Sequence, residues 1–190
     1  MNRKRILILL VFFLILKIPQ FLMLPDFDTG IYATDALMVN QGKKLYVDVW
    51  TQKPPGLIVI YALIFLLFGP GLLSLKILGV LYTGLTCVAL YFLVRFLFDR
   101  DTAFYSTLFF IAAAFYLVVS LDGLDSEYFF LMPVLWGSLL FLKGLQREKY
   151  WLVFFSGLSL GIAFFIKQVV FWNILVLVLY VIVLAFRQRR

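Results

Sequence analysis

The chain contains no histidine and a single cysteine, Cys87, among its 190 residues. Lacking imidazole, it has neither the commonest general base near neutral pH nor the commonest metal ligand. A lone cysteine inside an apolar run excludes a disulfide framework and a thiolate metal site. Acids are scarce as well, 10 Asp and Glu against 17 Lys and Arg, for a net charge of +7. Polar passages are almost missing: the only long one runs from Pro25 to Gly56 and holds Asp26, Asp28, Asp35, Asp48, Lys43, Lys44 and Lys53.

What remains is hydrocarbon. The hydrophobic share is 64%, against about 45–50% for a soluble domain, and the mean hydropathy is +1.04. The composition predicts an all-α polytopic membrane protein. The basic residues stand in short clusters between apolar runs, which is the pattern of membrane orientation. No nucleic-acid partner is expected, and membrane lipids are.

Arg3, Lys4 and Arg5 precede an apolar run at 6–24 that reads as a retained anchor helix, since no small-residue cleavage site follows. Lys17 within it either snorkels to the interface or faces an internal cavity. Further spans are expected at 72–97, 102–121, 128–142, 150–166 and 169–186. The run 57–68 would rise only about 18 Å as a helix, against about 30 Å of hydrocarbon. If it does not cross, Arg3, Lys4, Arg5, Arg95, Arg100, Lys143, Arg147, Lys149, Arg187, Arg189 and Arg190 lie with the N-terminus, and Lys43, Lys44, Lys53, Lys76 and Lys167 lie opposite. Full crossing reverses that balance, so the positive-inside rule favours about six crossings. The expected architecture is one transmembrane module with a cytoplasmic N-terminus in the cell membrane. It carries a long first outer loop at 25–56 and a short outer-face interfacial or re-entrant helix at 57–68. This topology gathers Asp26, Asp28, Asp35, Asp48, Asp122, Asp125 and Glu127 with Lys53, Lys76 and Lys167 on one face.

Asp28 precedes a helical start at Thr29-Gly30-Ile31-Tyr32. It reads either as the N-cap of that helix or as a general base at the water–lipid boundary. Pro54 and Pro55 stiffen the backbone beyond Lys53 and suit a helix start, which would hold this cation at a fixed height. Asp122-Gly123-Leu124-Asp125-Ser126-Glu127 forms a second acidic turn. Asp125 or Ser126 could cap the next helix, with Glu127 complementing its dipole. Its carboxylates could also hold a divalent metal ion. Lys76 and Lys167 lie near helix ends, where they snorkel or neutralise phosphate. Tyr32, Tyr46, Trp50 and Tyr61 fit an interfacial aromatic belt.

In order, the chain presents Asp28 with Tyr32 four residues on, Gly42 with Tyr46 and Asp48, Lys53-Pro54-Pro55-Gly56, Phe68-Gly69, and GLSLGIAFFIK from Gly157 to Lys167. This order resembles the N-terminal half of the polyprenyl-phosphate-sugar-dependent glycosyltransferases of the membrane-embedded C-type fold. The likeness is greatest to the protein O-mannosyltransferase and lipid A aminoarabinosyltransferase group with their galacturonosyltransferase-like relatives. Those enzymes continue through further spans, so the chain is expected to be the N-terminal part of a longer architecture. The family often has a second acid beside its loop aspartate, where this chain has Thr29, with Asp26 two residues before Asp28.

The resemblance implies transfer of a sugar from a polyprenyl-phosphate donor to the hydroxyl of a lipid, glycan or protein acceptor on the outer face, with inversion. It assigns catalysis to Asp28, with Asp26 beside it. Substrate binding falls to Lys53, Tyr32, Lys76 and Lys167, with Asp122, Asp125 or Glu127 as the second-loop acid. The competing readings are an inactive fragment or assembly partner of a longer transferase, and a membrane transporter subunit. Coupled transporters usually place carboxylates within their spans, and the apolar runs here contain none.

Overall fold

The computed structural model describes residues 3–22, 24–116 and 124–188. Among these the regular structure is entirely helical: α1 (Arg3–Leu22), α2 (Phe27–Asn40), α3 (Pro55–Phe68), α4 (Leu72–Leu97), α5 (Arg100–Tyr116), α6 (Ser126–Gln146), α7 (Tyr150–Ile166) and α8 (Phe171–Gln188), with a 3-10 turn at Gln168–Val170. Helices are the outcome that hydrocarbon allows, because each segment must satisfy its own backbone N–H and C=O groups. Leu72–Leu97, Ser126–Gln146 and Gln168–Arg187 are long and apolar enough to cross a membrane, and α3 and α7 are shorter apolar helices.

Side-chain contacts fix which helix ends lie together. Arg5 pairs with Asp101, joining the starts of α1 and α5. Lys143 near the end of α6 stands 5.9 Å from the Phe96 ring near the end of α4. At the opposite end of the bundle, Lys76 near the start of α4 donates to the Phe21 carbonyl near the end of α1. The start of α3 abuts the end of α7 at Gly56, and its other end leads through Gly69-Pro70-Gly71 into α4. Both ends of α3 therefore lie at the same end of the bundle.

Although short, α3 buries one face in the protein, while Val59, Leu63, Leu66 and Leu67 on the other face are exposed. Leu57, Ile58 and Tyr61 are wholly buried, and Ala62 and Phe65 nearly so. Its Tyr61 ring stands 6.3 Å from Tyr32, 6.4 Å from Phe65 and 5.9 Å from Phe129, all tilted or edge-on. The Tyr61 hydroxyl donates to the Leu124 carbonyl. Leu75, Ala114, Tyr128 and Ile166 complete this core around α3. Elsewhere the helices approach through small residues: a Cβ on Gly137 would stand 2.8 Å from Cγ of Leu160, so glycine there lets α6 and α7 close. Most of α8 is uncovered, with 6% of its most apolar window buried, as befits a surface whose solvent is lipid.

Several expectations change. The polar passage 25–56 is not simply a loop, since α2 occupies most of its first half. The helix there starts before Thr29 and is capped by Asp26, whose Oδ1 accepts from the Thr29 N–H at 2.8 Å. Asp28 thus sits within the first turn and is not the cap. The span expected at 128–142 is α6, which gains residues at both ends, and that at 169–186 begins with the 3-10 turn. Residues 117–121 of the span expected at 102–121 lie outside the described residues. Tyr61 is core rather than belt, and Tyr32 is 3% exposed, whereas Trp50 and Tyr46 remain exposed. Lys17 turns inward instead of snorkelling. It is 9% exposed and donates to Thr83 Oγ1 at 3.2 Å, with the Phe13 and Tyr128 rings 5.9 and 5.8 Å away. A hydroxyl and two aromatic faces stabilise a cation that lipid would not.

Candidate functional site

The end of the bundle where α1 finishes gathers polar side chains from four elements. Asp26 at the N-cap leaves the Asp28 carboxylate free of capping. Its Oδ2 accepts a hydrogen bond from Lys53 Nζ at 2.6 Å. Lys53 also faces the Tyr32 ring, one turn along α2, at 5.3 Å from the centroid. Three devices hold this lysine. Pro54 caps α3 in extended geometry and Pro55 opens the helix. The Tyr46 hydroxyl donates to the Lys53 carbonyl at 2.9 Å. Gly56 packs so closely on α7 that a Cβ would stand 2.6 Å from the backbone of Phe165 and Ile166.

That close approach brings the end of α7, with Lys167, beside the start of α3. Lys167 pairs with Glu127 in the first turn of α6. Glu127 Oε2 also accepts from Ser126 Oγ at 2.9 Å, and Ser126 is a hydrogen-bonding neighbour of the Tyr32 hydroxyl. Two acid–lysine pairs, Asp28–Lys53 and Glu127–Lys167, are thereby linked through Tyr32 and Ser126.

The electrostatics follow from this placement. Partial burial works against the Lys53 charge, but its hydrogen bond to Asp28 and the nearby Tyr32, Asp28 and Asp125 outweigh it. The lysine is held above its ordinary pKa. Burial pushes the Tyr32 hydroxyl above the usual tyrosine range, against opposing effects of Ser126 and Lys53. Tyr32 is therefore a neutral hydrogen-bonding group at physiological pH, and Lys53 is a cation.

Of the residues singled out from sequence, the fold joins Asp28, Lys53 and Tyr32 directly. It places Asp125 within electrostatic range of Lys53 and sets Glu127 with Lys167 alongside. Asp26 caps α2, and Lys76 reaches Phe21 at the end of α1. Asp122 lies outside the described residues. Among the described residues no group of three acids, cysteines or histidines comes together to hold a metal ion. Two polar residues have roles at the site that the sequence did not assign to them. Ser126, read only as a cap, bonds Glu127, and Tyr46, read as belt, pins Lys53; for Tyr46 the signal was its fixed distance from Gly42. Asp35, 7% exposed, is buried on α2, and its Oδ2 has no hydrogen-bond partner among the described residues.

The described residues thus form a helical bundle with apolar candidate spans and paired acids and lysines at one end. Residues 52–190 match the family model described as dolichyl-phosphate-mannose-protein mannosyltransferase, and the chain belongs to this family of membrane glycosyltransferases. The match includes Lys53, Glu127 and Lys167; Asp28 and Tyr32 precede it and are tied to it by the Lys53 contacts. No curated protein and no solved structure matches the chain.

Proposed function

We propose that the chain transfers a sugar from a polyprenyl-phosphate donor to an acceptor hydroxyl, with Asp28 as general base and Lys53 on the donor phosphate. The observation that carries this reading is the 2.6 Å Asp28–Lys53 ion pair at the end of the bundle. It joins the residue type needed to take a proton to the residue type needed to steady a phosphate. The acceptor oxygen forms a bond to the anomeric carbon as its proton passes to Asp28. The bond from that carbon to the phosphate oxygen breaks, and the phosphate leaves with the electron pair. Attack opposite the leaving group gives inversion. Lys53 neutralises the departing charge, with Lys167 the second cation available nearby.

The ion pair also implies an order of events. The Asp28 side chain is 48% exposed, and pairs with such access to water are worth only about 0.2–1 kcal/mol. A donor phosphate can therefore compete for Lys53, and its arrival releases Asp28 to act as base. The six helices α1, α4, α5, α6, α7 and α8 are the proposed crossings, with α3 re-entrant and the Lys53 end facing outward.

The test is Asp28→Asn in membranes, following sugar passage from polyprenyl phosphate to acceptor, with any further family module supplied. The variant is expected to insert normally, because Asp26 is the cap, and to lose transfer by roughly 10²–10⁴. Normal turnover by Asp28→Asn would sink the general-base assignment.

A further inference from the structure

A cavity of about 490 Å³ lies at the far end of the bundle from Asp28 and Lys53. It is a half-open slot between α1 and α4, floored by α5. Its walls include Leu10 and Phe13 on α1, Gly84 and Val88 on α4, and Ile111 on α5, and Arg95 closes one end. Gly84 gives the deep end its width: a bare Cβ there would just touch Phe13, at 3.9 Å. Leu10 and Val88 are 52% and 44% exposed along the open side, so the slot opens sideways, towards lipid.

Length and charge identify what fits. From Gly84 to Arg95 the helix rises roughly 16 Å, about half of a hydrocarbon core about 30 Å thick. The slot is thus one leaflet deep, apolar along its length and cationic only where headgroups begin. Arg95 is exposed and belongs to none of the ion pairs found among the described residues. Arg5 nearby is already engaged by Asp101 and stands over the Phe104 ring. Lys143, beside Phe96, adds a second positive charge at the same end of α4. A basic mouth on an apolar interhelical slot complements a phosphate attached to an acyl chain.

We propose that this slot binds an anionic phospholipid from the leaflet on the Arg95 side, one acyl chain between α1 and α4 and the phosphate on Arg95. The site is independent of the transfer reaction, which uses the opposite end. Bound lipid fills the gap between α1 and the helix it packs against.

Native mass spectrometry of the purified chain in mixed micelles tests this, with phosphatidylglycerol, phosphatidylcholine and polyprenyl phosphate as probes. The wild type is expected to retain one phosphatidylglycerol roughly fivefold better than phosphatidylcholine, the effect of one cation near a headgroup. Arg95→Gln should keep a lipid without preference, and Gly84→Leu, which fills the deep end, should keep neither. Lys149→Gln, an exposed cation at the same end, should behave as wild type. Equal retention of the two phospholipids by wild type would overturn the proposal, as would an unchanged preference in Arg95→Gln, which decides the matter if Gly84→Leu does not fold. Displacement of phosphatidylglycerol by polyprenyl phosphate would assign the slot to the carrier lipid and overturn it too.

Discussion

Lys53 Nζ and Asp28 Oδ2 stand 2.6 Å apart although 25 positions separate them in the chain. The lysine comes from the turn before α3 and the acid from the first turn of α2. Each is fixed by a neighbour that the pair does not include: Asp26 caps the acid's helix, and Tyr46 holds the lysine's carbonyl.

Lys53→Ala is expected to weaken polyprenyl-phosphate binding by roughly ten- to a hundredfold, the loss of a charge-assisted contact worth about 1.5–3 kcal/mol. Lys43→Ala, on an exposed turn, should change it little. Titration of the two variants with polyprenyl phosphate in detergent compares them; equal effects would reduce Lys53 to a member of a general positive surface.

Gly56→Val should separate α3 from α7, because the added Cβ meets the Phe165 and Ile166 backbone at 2.6 Å and backbone cannot swing aside as a side chain can. A loss of about 1–3 kcal/mol is expected from overpacking, together with weakened donor binding as Lys53 and Lys167 move apart. Gly30→Ala is the control. Nothing lies within 4 Å of its new methyl group, so it should be neutral or stabilise α2 by up to about 1 kcal/mol. Thermal unfolding in detergent reads both, and a Gly56→Val protein as stable as wild type would refute the close-packing argument.

The pH response of the Lys53 pair has a definite sign. Its folded pKa is raised, so its charging stabilises the fold below the ordinary lysine value of about 10.4, and this stabilisation is lost as pH rises through the raised value. The melting difference between wild type and Lys53→Met should therefore be flat from about pH 7 to about pH 9 and narrow only beyond about pH 10.4. Narrowing already below about pH 9 would mean that the lysine is not stabilised as a cation.

Orientation can be read by thiol labelling in a Cys87→Ala background. Cysteine at exposed Gln52 should react with an impermeant reagent applied to intact cells, and cysteine at exposed Thr102 should not. Labelling of both positions would make α3 a full crossing and reverse every helix after it.

Much was legible in the chain because hydrocarbon is a simple solvent. A segment that enters it must be helical and apolar, so α4 and α7 coincide with the expected 72–97 and 150–166. The basic clusters, by the same logic, favoured a non-crossing α3, an expectation that the thiol labelling tests. Lys53 was recognisable because two prolines after a lysine restrict the backbone whatever surrounds it. The family, too, could be read from the order of its motifs.

Tertiary structure alone decided which of two equivalent residues does what. Asp26 and Asp28 can each cap a helix, and nothing local separates them; the path of the chain out of α1 settles the cap on Asp26 and turns Asp28 to Lys53. Lys17 had a route to the interface and a route inward, and Thr83 and the Tyr128 ring, far away in sequence, joined Phe13 one turn away to make the inward one favourable. Glu127 and Lys167, 40 positions apart, meet because α6 and α7 pack against each other, which Gly137 permits by letting Leu160 approach. Solvent dictates helix and span residue by residue, so the chain carries that information locally. Partner choice depends on which helices pack together, and that exists only once the bundle has formed.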